Sequence, residues 1–371
     1  MGLELADIVR THGPSYIAKQ GNRLLPSQRS ALRAITQCRT EALGGHVYTC
    51  EKCQQVQYRY HSCRNRHCPK CQHQEAQEWL EKNSEFLPEA PYYLITFTLP
   101  AEMRKFAYRN QKAVYGALFR ASAKAMQKLA WDKRFLGGLI GILSILHTWK
   151  RDLGYHPHVH CLVPAVGIDE EGKAVHPKRK GFLLPVRALS RLFRGEFSRQ
   201  VACGQKALRK ELLEGDIPQG IWKDEWVVHC KPVGSGKGAL KYLAPYVFRV
   251  ALSNRRLVKM EGDQVTFRYK DSRSGDTRYC TLTAEAFLYR FLQHILPRGF
   301  VKVRYYGLFA PGMRKILAAL REQLGAGKGS EEGNTKEEGK ATIDEEETVY
   351  CPVCGIAMRR KSVAPKRGRP P

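Results

Sequence analysis

The chain has 371 residues, of which 62 are Lys or Arg and 35 are Asp or Glu, and its formal net charge is +27. Apolar residues make up 43% of it, which excludes general disorder and allows a sizeable core. The longest near-apolar run, residues 135–146, falls short of the ~20 residues that a membrane-spanning helix needs. No signal-peptide core is seen near the first residue. We therefore expect a bacterial cytoplasmic protein without membrane association.

The charge predicts a polyanionic partner, and nucleic acid is the commonest polyanion. The surplus of Lys and Arg runs from Arg10 to Arg369. A basic protein with only non-specific affinity is the alternative. On the first interpretation, we expect the chain to associate with the nucleoid.

The predicted elements divide the chain into five segments. Short helices occupy residues 1–45, and residues 46–88 hold a Cys/His cluster followed by a helix. Residues 89–312 mix strands and helices. Residues 313–349 hold a helix end and a linker rich in Gly, Glu and Lys, and residues 350–371 hold a CxxC pair and a basic tail. This order predicts an α+β fold with a central antiparallel sheet and flanking helices, preceded by a helical, zinc-ribbon-like module.

Individual elements follow from aromatic and β-branched runs for strands and from apolar periodicity for helices. The predicted strands are 92–100, 139–149, 156–168, 225–233, 264–271, 277–283 and 299–309. The predicted helices are 26–41, 74–87, 103–131, 185–215, 238–252 and 284–296.

Two CxxC pairs lie close together in the second segment. Cys50 and Cys53 are followed after a short interval by Cys68 and Cys71. Each pair places two thiolates about one turn apart, which suits a tetrahedral zinc ion. We predict one structural zinc bound by these four cysteines, because four ligands leave no open position for chemistry. Four buried free thiols are the alternative.

Other side chains of this cluster are candidates for further roles. Cys63 and His67 are additional candidate zinc ligands, as are the two histidines at 46 and 61. The basic residues Arg64, Arg66 and Lys70 are interspersed with the cysteines. We therefore expect the zinc module to bind DNA phosphates through these three side chains.

The sequence YHPHVHCLVP places several histidines on one predicted strand. His158 and His160 point to the same face because side chains alternate along a strand. If the preceding strand forms a hairpin with this one, His147 lies opposite His158 on that face. We predict a divalent metal site formed by these three imidazoles, with His156 in reserve. Imidazole favours manganese, zinc or nickel, whereas cellular abundance favours magnesium. Exposed strand histidines are the alternative.

Two tyrosines, Tyr242 and Tyr246, lie four residues apart on a predicted helix and therefore on one helical face. Pro245 between them predicts a bend or a first turn. A phenolate can attack phosphorus and form a phosphotyrosine, while a metal polarises the phosphate oxygen. An aromatic pair packed in the core is the alternative interpretation.

Taken together, these motifs resemble a known family. HPHVHCLV matches the His-hydrophobe-His motif of HUH endonucleases. With YLAPYVFRVALSN downstream and SCRNRHCPKCQ upstream, the chain resembles the IS91-type rolling-circle insertion-sequence transposases of the two-tyrosine class, which carry an N-terminal zinc-binding domain. The resemblance covers roughly residues 10–310. It implies a zinc-binding, DNA-binding module at 46–88 and an HUH endonuclease domain at 89–312.

The resemblance also implies a mechanism. Such enzymes nick single-stranded DNA at the element ends, form a 5′-phosphotyrosine, and transfer the strand to a target. By position, His158 and His160 match the metal pair, and Tyr242 and Tyr246 match the catalytic tyrosines. The third ligand varies in relatives, so both His147 and Asn254 are candidates. The implied cofactors are structural Zn²⁺ and catalytic Mg²⁺ or Mn²⁺.

Weaker signals leave alternatives open. Lys237, in the turn GSGKG, and Arg249 are candidate phosphate contacts. The pair Cys351 and Cys354 is compatible with a small knuckle, a site shared in a dimer, or two free thiols. The sequence KRGRP, residues 366–370, is compatible with an AT-hook or a disordered basic tail.

We therefore predict a DNA transposase of a rolling-circle element that acts by metal-dependent transesterification. A plasmid replication initiator or relaxase-like nicking enzyme is the alternative within the same chemistry. A catalytically inactive, zinc-dependent DNA-binding regulator is the alternative from another class. The sequence leaves open whether the chain forms a homo-oligomer.

Overall fold

The computed structural model describes residues 2–71, 79, 87–207, 217, 219–235, 238, 247, 251–271, 274–326 and 348–365. The helices are α1 (Leu5–Gln20), α2 (Pro26–Gln37), α3 (Arg104–Arg109), α4 (Gln111–Ala130), α5 (Val186–Ala207), α6 (Ala284–Leu292) and α7 (Arg314–Ala326). The strands are β1 (Gly45–Thr49), β2 (Val56–Tyr60), β3 (Pro91–Thr98), β4 (Leu139–Trp149), β5 (Tyr155–Pro164), β6 (Gly167–Ile168), β7 (Ala174–Val175), β8 (Val228–Ser235), β9 (Leu257–Glu261), β10 (Gln264–Lys270), β11 (Thr277–Thr283), β12 (Val303–Gly307) and β13 (Arg359–Val363).

The chain divides into two compact units, one of residues 4–71 and 329–371 and the other of residues 72–328 with the first three. In the first unit, α1 and α2 pack together. The backbone N–H of Glu4 donates to Asp7 and caps α1. Pro26 begins α2, where its fixed φ suits the first turn.

A small antiparallel sheet completes this unit, with the strand order β13-β1-β2. The central strand β1 pairs with β2, its neighbour in sequence, and with β13 from the far end of the chain. The segment that follows the linker, predicted as a separate tail, is therefore joined to the N-terminal residues through β13.

The second unit is built on a larger antiparallel sheet. Its strand order is β7-β6-β4-β5-β3-β8, and β12 pairs with β4. The longest strands, β4 and β5, form a hairpin at its centre. In a separate antiparallel sheet, β9, β10 and β11 are followed by α6, whose Phe287 packs on Phe267 of β10.

Both faces of the large sheet are buried against apolar side chains. One face packs against α4 and α5 through a core that includes Phe97, Phe119, Val159 and Phe193. The opposite face carries a second apolar cluster, to which α7 contributes. This second cluster includes Leu94, Leu143, Ile145, Leu162, Val247, Leu317 and Leu320. Its strand residues alternate with those of the first core, as the period of two requires.

The predicted α+β class with an antiparallel sheet is confirmed. The predicted strands of the central segment form, as do the helices that the structure describes. Strands β1, β2, β7, β9 and β13 were not predicted. Most residues of the predicted helices at 74–87 and 238–252 lie outside the described part of the chain. Of their described residues, Trp79, Gly238 and Val247 are helical, whereas 87 and 251–252 are not. No described helix has the length and apolarity to cross a membrane.

Candidate metal and DNA-binding sites

Three histidines converge at one end of the β4–β5 hairpin. His147 on β4 is directly opposite His158 on β5, and His160 follows two residues later. Each offers a ring nitrogen, and these nitrogens all lie within 4.8 Å of one another. They continue the rows of Leu143 and Ile145 on β4 and Leu162 on β5, so this face changes from aliphatic to imidazole side chains along the strands.

Hydrogen bonds to Nδ1 orient two of the three rings. His158 Nδ1 lies 2.7 Å from the carbonyl oxygen of His156. A carbonyl only accepts, so this nitrogen carries the proton and Nε2 keeps its lone pair. His160 Nδ1 lies 2.9 Å from Oγ1 of Thr96 on β3, a hydroxyl that can accept in the same way. Such partners on the second nitrogen are typical of metal-binding histidines.

The protonation states of His156 and His158 on this hairpin also suit metal binding. Burial lowers the pKa of His158 to about 4, against the smaller opposing effect of its bond to His156. Burial, and then the neighbouring His158 and Arg104, lower the pKa of His156 to about 3. Both rings are therefore uncharged at neutral pH. A neutral imidazole is the form that binds a cation.

The histidines open into a cavity of about 560 Å³. Its wall carries more cationic than anionic side chains. The charged lining residues are Lys150, Arg151, Arg256, Lys270, Asp152 and Asp271. Both arginines also form hydrogen bonds that stabilise the wall. Arg151 donates to the carbonyl oxygen of Lys270 at 3.1 Å, and Arg256 donates to that of Arg268 at 2.9 Å. A basic cavity beside a cluster of histidines that could hold a metal ion suits a phosphodiester substrate.

A buried histidine supports the hairpin turn from behind. His294 Nε2 lies 3.0 Å from the carbonyl oxygen of Leu153, and its Nδ1 lies 3.2 Å from Oγ1 of Thr148. Leu153 is fully buried and adopts a φ of 63°, a conformation that costs a branched residue energy. The turn forms near residues 152–153. Trp149 beside it stacks on His147, with 4.5 Å between the ring centroids.

The reserve ligand His156 lines the same cavity but is not in the converging group. Its Nδ1 is 3.3 Å from a guanidinium nitrogen of Arg104. Asn254 begins a short 3₁₀ helix, Asn254–Arg256. His147 is the third histidine that the structure brings to His158 and His160.

The two candidate tyrosines, together with Lys237 and Arg249, lie outside the described residues. Val247, which follows Tyr246 in sequence, is described. It is buried in the apolar cluster of the histidine face. Its carbonyl oxygen accepts a hydrogen bond from Lys302 Nζ at 3.1 Å, and this ammonium lies 5.2 Å from the ring of Trp149.

The cysteines form two four-sulfur groups instead of the single predicted one. Cys68 and Cys71 group with two cysteines upstream, Cys38 and Cys63. The Sγ–Sγ distance is 3.4 Å for Cys38–Cys71 and 3.6 Å for Cys63–Cys71. Cys50 and Cys53 belong to a different group with Cys351 and Cys354.

The predicted site of Cys50, Cys53, Cys68 and Cys71 is therefore wrong as one site. Cys50 and Cys53 lie on the turn of the small sheet, and the other pair lies near the end of α2. Cys63, an additional candidate ligand, belongs to the group of Cys68 and Cys71, whereas His67 does not. Cys38 was missed because it continues the apolar periodicity of α2.

The basic residues of the cysteine cluster differ in their surroundings. Arg64 and Arg66 are exposed, and Arg64 adopts a positive φ of 49°. Lys70 forms an ion pair with Glu4 at 2.5 Å, so part of its charge is balanced within the protein. Arg64 is therefore better placed than Lys70 to bind an external phosphate.

One face of the small sheet carries a surface that sequence reasoning missed. Tyr58 and Tyr60 of β2 stack with 5.8 Å between their ring centroids, and 60% of Tyr58 is exposed. By register, Lys361 and Arg359 of β13 share this face. Alternating tyrosines at 58 and 60 were the available signal. Exposed aromatic rings beside cations suit stacking with nucleic-acid bases.

Two family models match the chain. A model described as "Putative transposase" matches residues 141–316, which include the histidine hairpin. A model described as "Transposase zinc-binding domain", of the IS91 type, matches residues 8–99, which include the group of Cys38, Cys63, Cys68 and Cys71. A solved structure of the conjugative relaxase TrwC with oriT DNA matches 62% of the chain and 71% of its own length. Its TM-score of 0.27 and 14% identity are too low to relate the folds.

Curated relatives extend these matches over most of the chain. "Putative transposase y4qJ" of Sinorhizobium fredii is 42% identical over 338 residues, which cover 87% of this chain and 85% of the relative. The transposase for insertion sequence element IS801 of Pseudomonas savastanoi pv. phaseolicola is 30% identical over 289 residues, 74% of this chain and 68% of the relative. With these identities and coverages, the chain belongs to the IS91-type transposases.

Proposed function

We propose that this transposase nicks and joins single-stranded DNA through a 5′-phosphotyrosine, with Tyr242 and Tyr246 as nucleophiles. The observation that carries the proposal is the convergence of His147, His158 and His160 at a basic cavity. The position of Val247 on the histidine face also supports it, because this residue follows Tyr246 in the chain.

The donor set fits a divalent cation. Three imidazoles on two neighbouring strands would hold Mg²⁺ or Mn²⁺ and leave positions for oxygen ligands, with manganese the better match to nitrogen donors. The ion would polarise a phosphate oxygen of the scissile bond. Thr96 and the carbonyl oxygen of His156 fix the orientation of His160 and His158 through their Nδ1 atoms.

Other side chains of the cavity would position the DNA strand. Lys150 and Lys270 on its wall supply positive charge for the phosphates that flank the cleaved bond. In each transfer, the tyrosine oxygen would form a bond to phosphorus while the bond to the 3′ oxygen breaks, which leaves a free 3′-OH. The phosphotyrosine conserves the bond energy for rejoining by a 3′-OH.

The N-terminal module would supply a further DNA contact. The chain carries a structural zinc-binding domain, and we assign one zinc ion to Cys38, Cys63, Cys68 and Cys71. The exposed Tyr58 would stack on an unpaired base, which favours single-stranded over double-stranded DNA.

The test uses end-labelled single-stranded DNA from the flanks of the gene, with Mn²⁺ or Mg²⁺, and denaturing electrophoresis. We expect a covalent protein–DNA band that disappears in the double variant Tyr242→Phe, Tyr246→Phe. Tyr279→Phe is the matched control, because this tyrosine is 63% exposed on β11. DNA binding without a covalent band, with every flank and both ions, would instead support an inactive DNA-binding regulator. Nicking without joining of element ends to a target would support an initiator or relaxase-like enzyme.

A further inference from the structure

The second four-sulfur group combines residues from two distant parts of the chain. Cys50 Sγ lies 3.3 Å from Cys354 Sγ, and Cys53 Sγ lies 3.5 Å from Cys351 Sγ across 298 residues of sequence. The remaining contact between Cys53 and Cys354 is 3.7 Å. These distances exceed the roughly 2.05 Å of a disulfide. They approach the spacing of about 3.8 Å between sulfurs that a tetrahedral zinc ion with Zn–S bonds of about 2.3 Å requires.

The two CxxC turns have the same backbone geometry. The N–H of Cys50 donates to the carbonyl oxygen of Gln55 at 2.9 Å, and the N–H of Cys351 donates to that of Ile356 at 2.8 Å. The N–H of the residue after each second cysteine donates back to the first cysteine, at 2.9 Å in both turns. That residue has a positive φ in both, 58° at Gln54 and 68° at Gly355. Two turns of equivalent backbone geometry therefore bring their four sulfurs together.

The apolar material around the group is small. Besides the sulfurs, its buried cluster holds Tyr48, Val349 and Met358. A cluster of this size gives little hydrophobic stabilisation, and modules of this kind commonly derive their folding free energy from a bound metal. The four thiolates leave no position for a substrate, so the ion would be structural.

We propose that Cys50, Cys53, Cys351 and Cys354 bind a second zinc ion, which joins residues 348–363 to β1 and β2. The site is separate from the zinc ion assigned to Cys38, Cys63, Cys68 and Cys71 and from the histidine cluster. The proposal does not depend on the nuclease chemistry, because a dead nuclease would need the same ion to complete its sheet.

Zinc content per chain tests the proposal directly. The full-length protein is purified without added metal and analysed by inductively coupled plasma mass spectrometry. We expect the double variant Cys351→Ser, Cys354→Ser to contain one zinc ion fewer than the wild type. The control Cys230→Ser, whose cysteine belongs to neither group, should contain as many as the wild type. A single ion in the wild type, or equal zinc content in the wild type and the double variant, would overturn the proposal.

A second measurement covers the case in which the double variant fails to fold and loses both ions. A protease site is inserted into residues 327–347 of the otherwise wild-type chain. After cleavage, we expect the C-terminal fragment to co-elute with the rest of the protein and to separate from it when a zinc chelator is added. Separation without chelator, or retention after all zinc has been removed, would contradict a zinc-dependent junction.

Discussion

The hydrogen bond between Thr96 and His160 offers a sensitive test of the histidine site. Oγ1 of Thr96 lies 2.9 Å from Nδ1 of His160, across the β3–β5 register. Thr96→Val keeps the shape and strand propensity of the side chain but removes the acceptor. The proton on Nδ1 then loses this acceptor, and the tautomer with a lone pair on Nε2 is less favoured. Thr96→Ser keeps the hydroxyl and is the matched control.

The expected loss of metal affinity follows from the hydrogen bond of Thr96 to a proposed metal ligand. Loss of such a partner typically weakens metal affinity 10–100-fold, or about 1.4–2.8 kcal/mol. Titration with Mn²⁺, followed by electron paramagnetic resonance of the unbound ion, measures the affinity. Thermal unfolding without metal checks that the variants remain folded. Mn²⁺ affinity in folded Thr96→Val equal to that of the wild type would refute the assignment of His160 Nε2 as a ligand.

Three further predictions concern stability and DNA binding. Burial lowers the pKa of His294 to about 4 from an ordinary value of 6.5; the unfolded chain therefore binds the extra proton first, and stability falls as the pH is lowered from about 6.5 towards 4. Urea unfolding measures the decrease in the free energy of unfolding between pH 7 and pH 5. This decrease should be about 2 kcal/mol smaller in His294→Gln than in the wild type, and an equal decrease in both proteins would contradict the prediction. Gly307→Ala should cost about 2–3 kcal/mol in the same assay, because φ is 57° and a Cβ would collide with the carbonyl oxygen of Ile140, whereas Gly312→Ala meets no neighbour and serves as control. Tyr58→Ala should weaken binding of single-stranded DNA about 5–150-fold by fluorescence anisotropy while Tyr58→Phe binds normally; normal binding by both would exclude stacking at this face.

Sequence reasoning succeeded where the partners are close in the chain. The histidine hairpin could be predicted because β4 and β5 are separated by a short turn, and the period of two then fixes which side chains share a face. The pairing of His147 with His158 needed no information from elsewhere in the molecule. The fold class followed in the same way from alternating short elements.

The zinc ligands could not be assigned correctly because their grouping depends on distant pairing. A CxxC pair indicates half a site but carries no information about the other half. Here the partner of Cys50 and Cys53 is set by the pairing of β13 with β1. Cys38 was not recognised as a ligand for another reason. It lies at the end of α2 and continues the apolar pattern of that helix, so the pattern alone explains a cysteine there.

The position of β13 has a consequence for synthesis of the chain. Until residues 359–363 leave the ribosome, β1 has one neighbour and an open edge, and a two-stranded hairpin is only marginally stable in water. At typical translation rates this interval lasts on the order of 15–60 s. A chain terminated within the linker would therefore keep its histidine hairpin but expose an unpaired β1 edge, which makes early termination products candidates for aggregation and proteolysis.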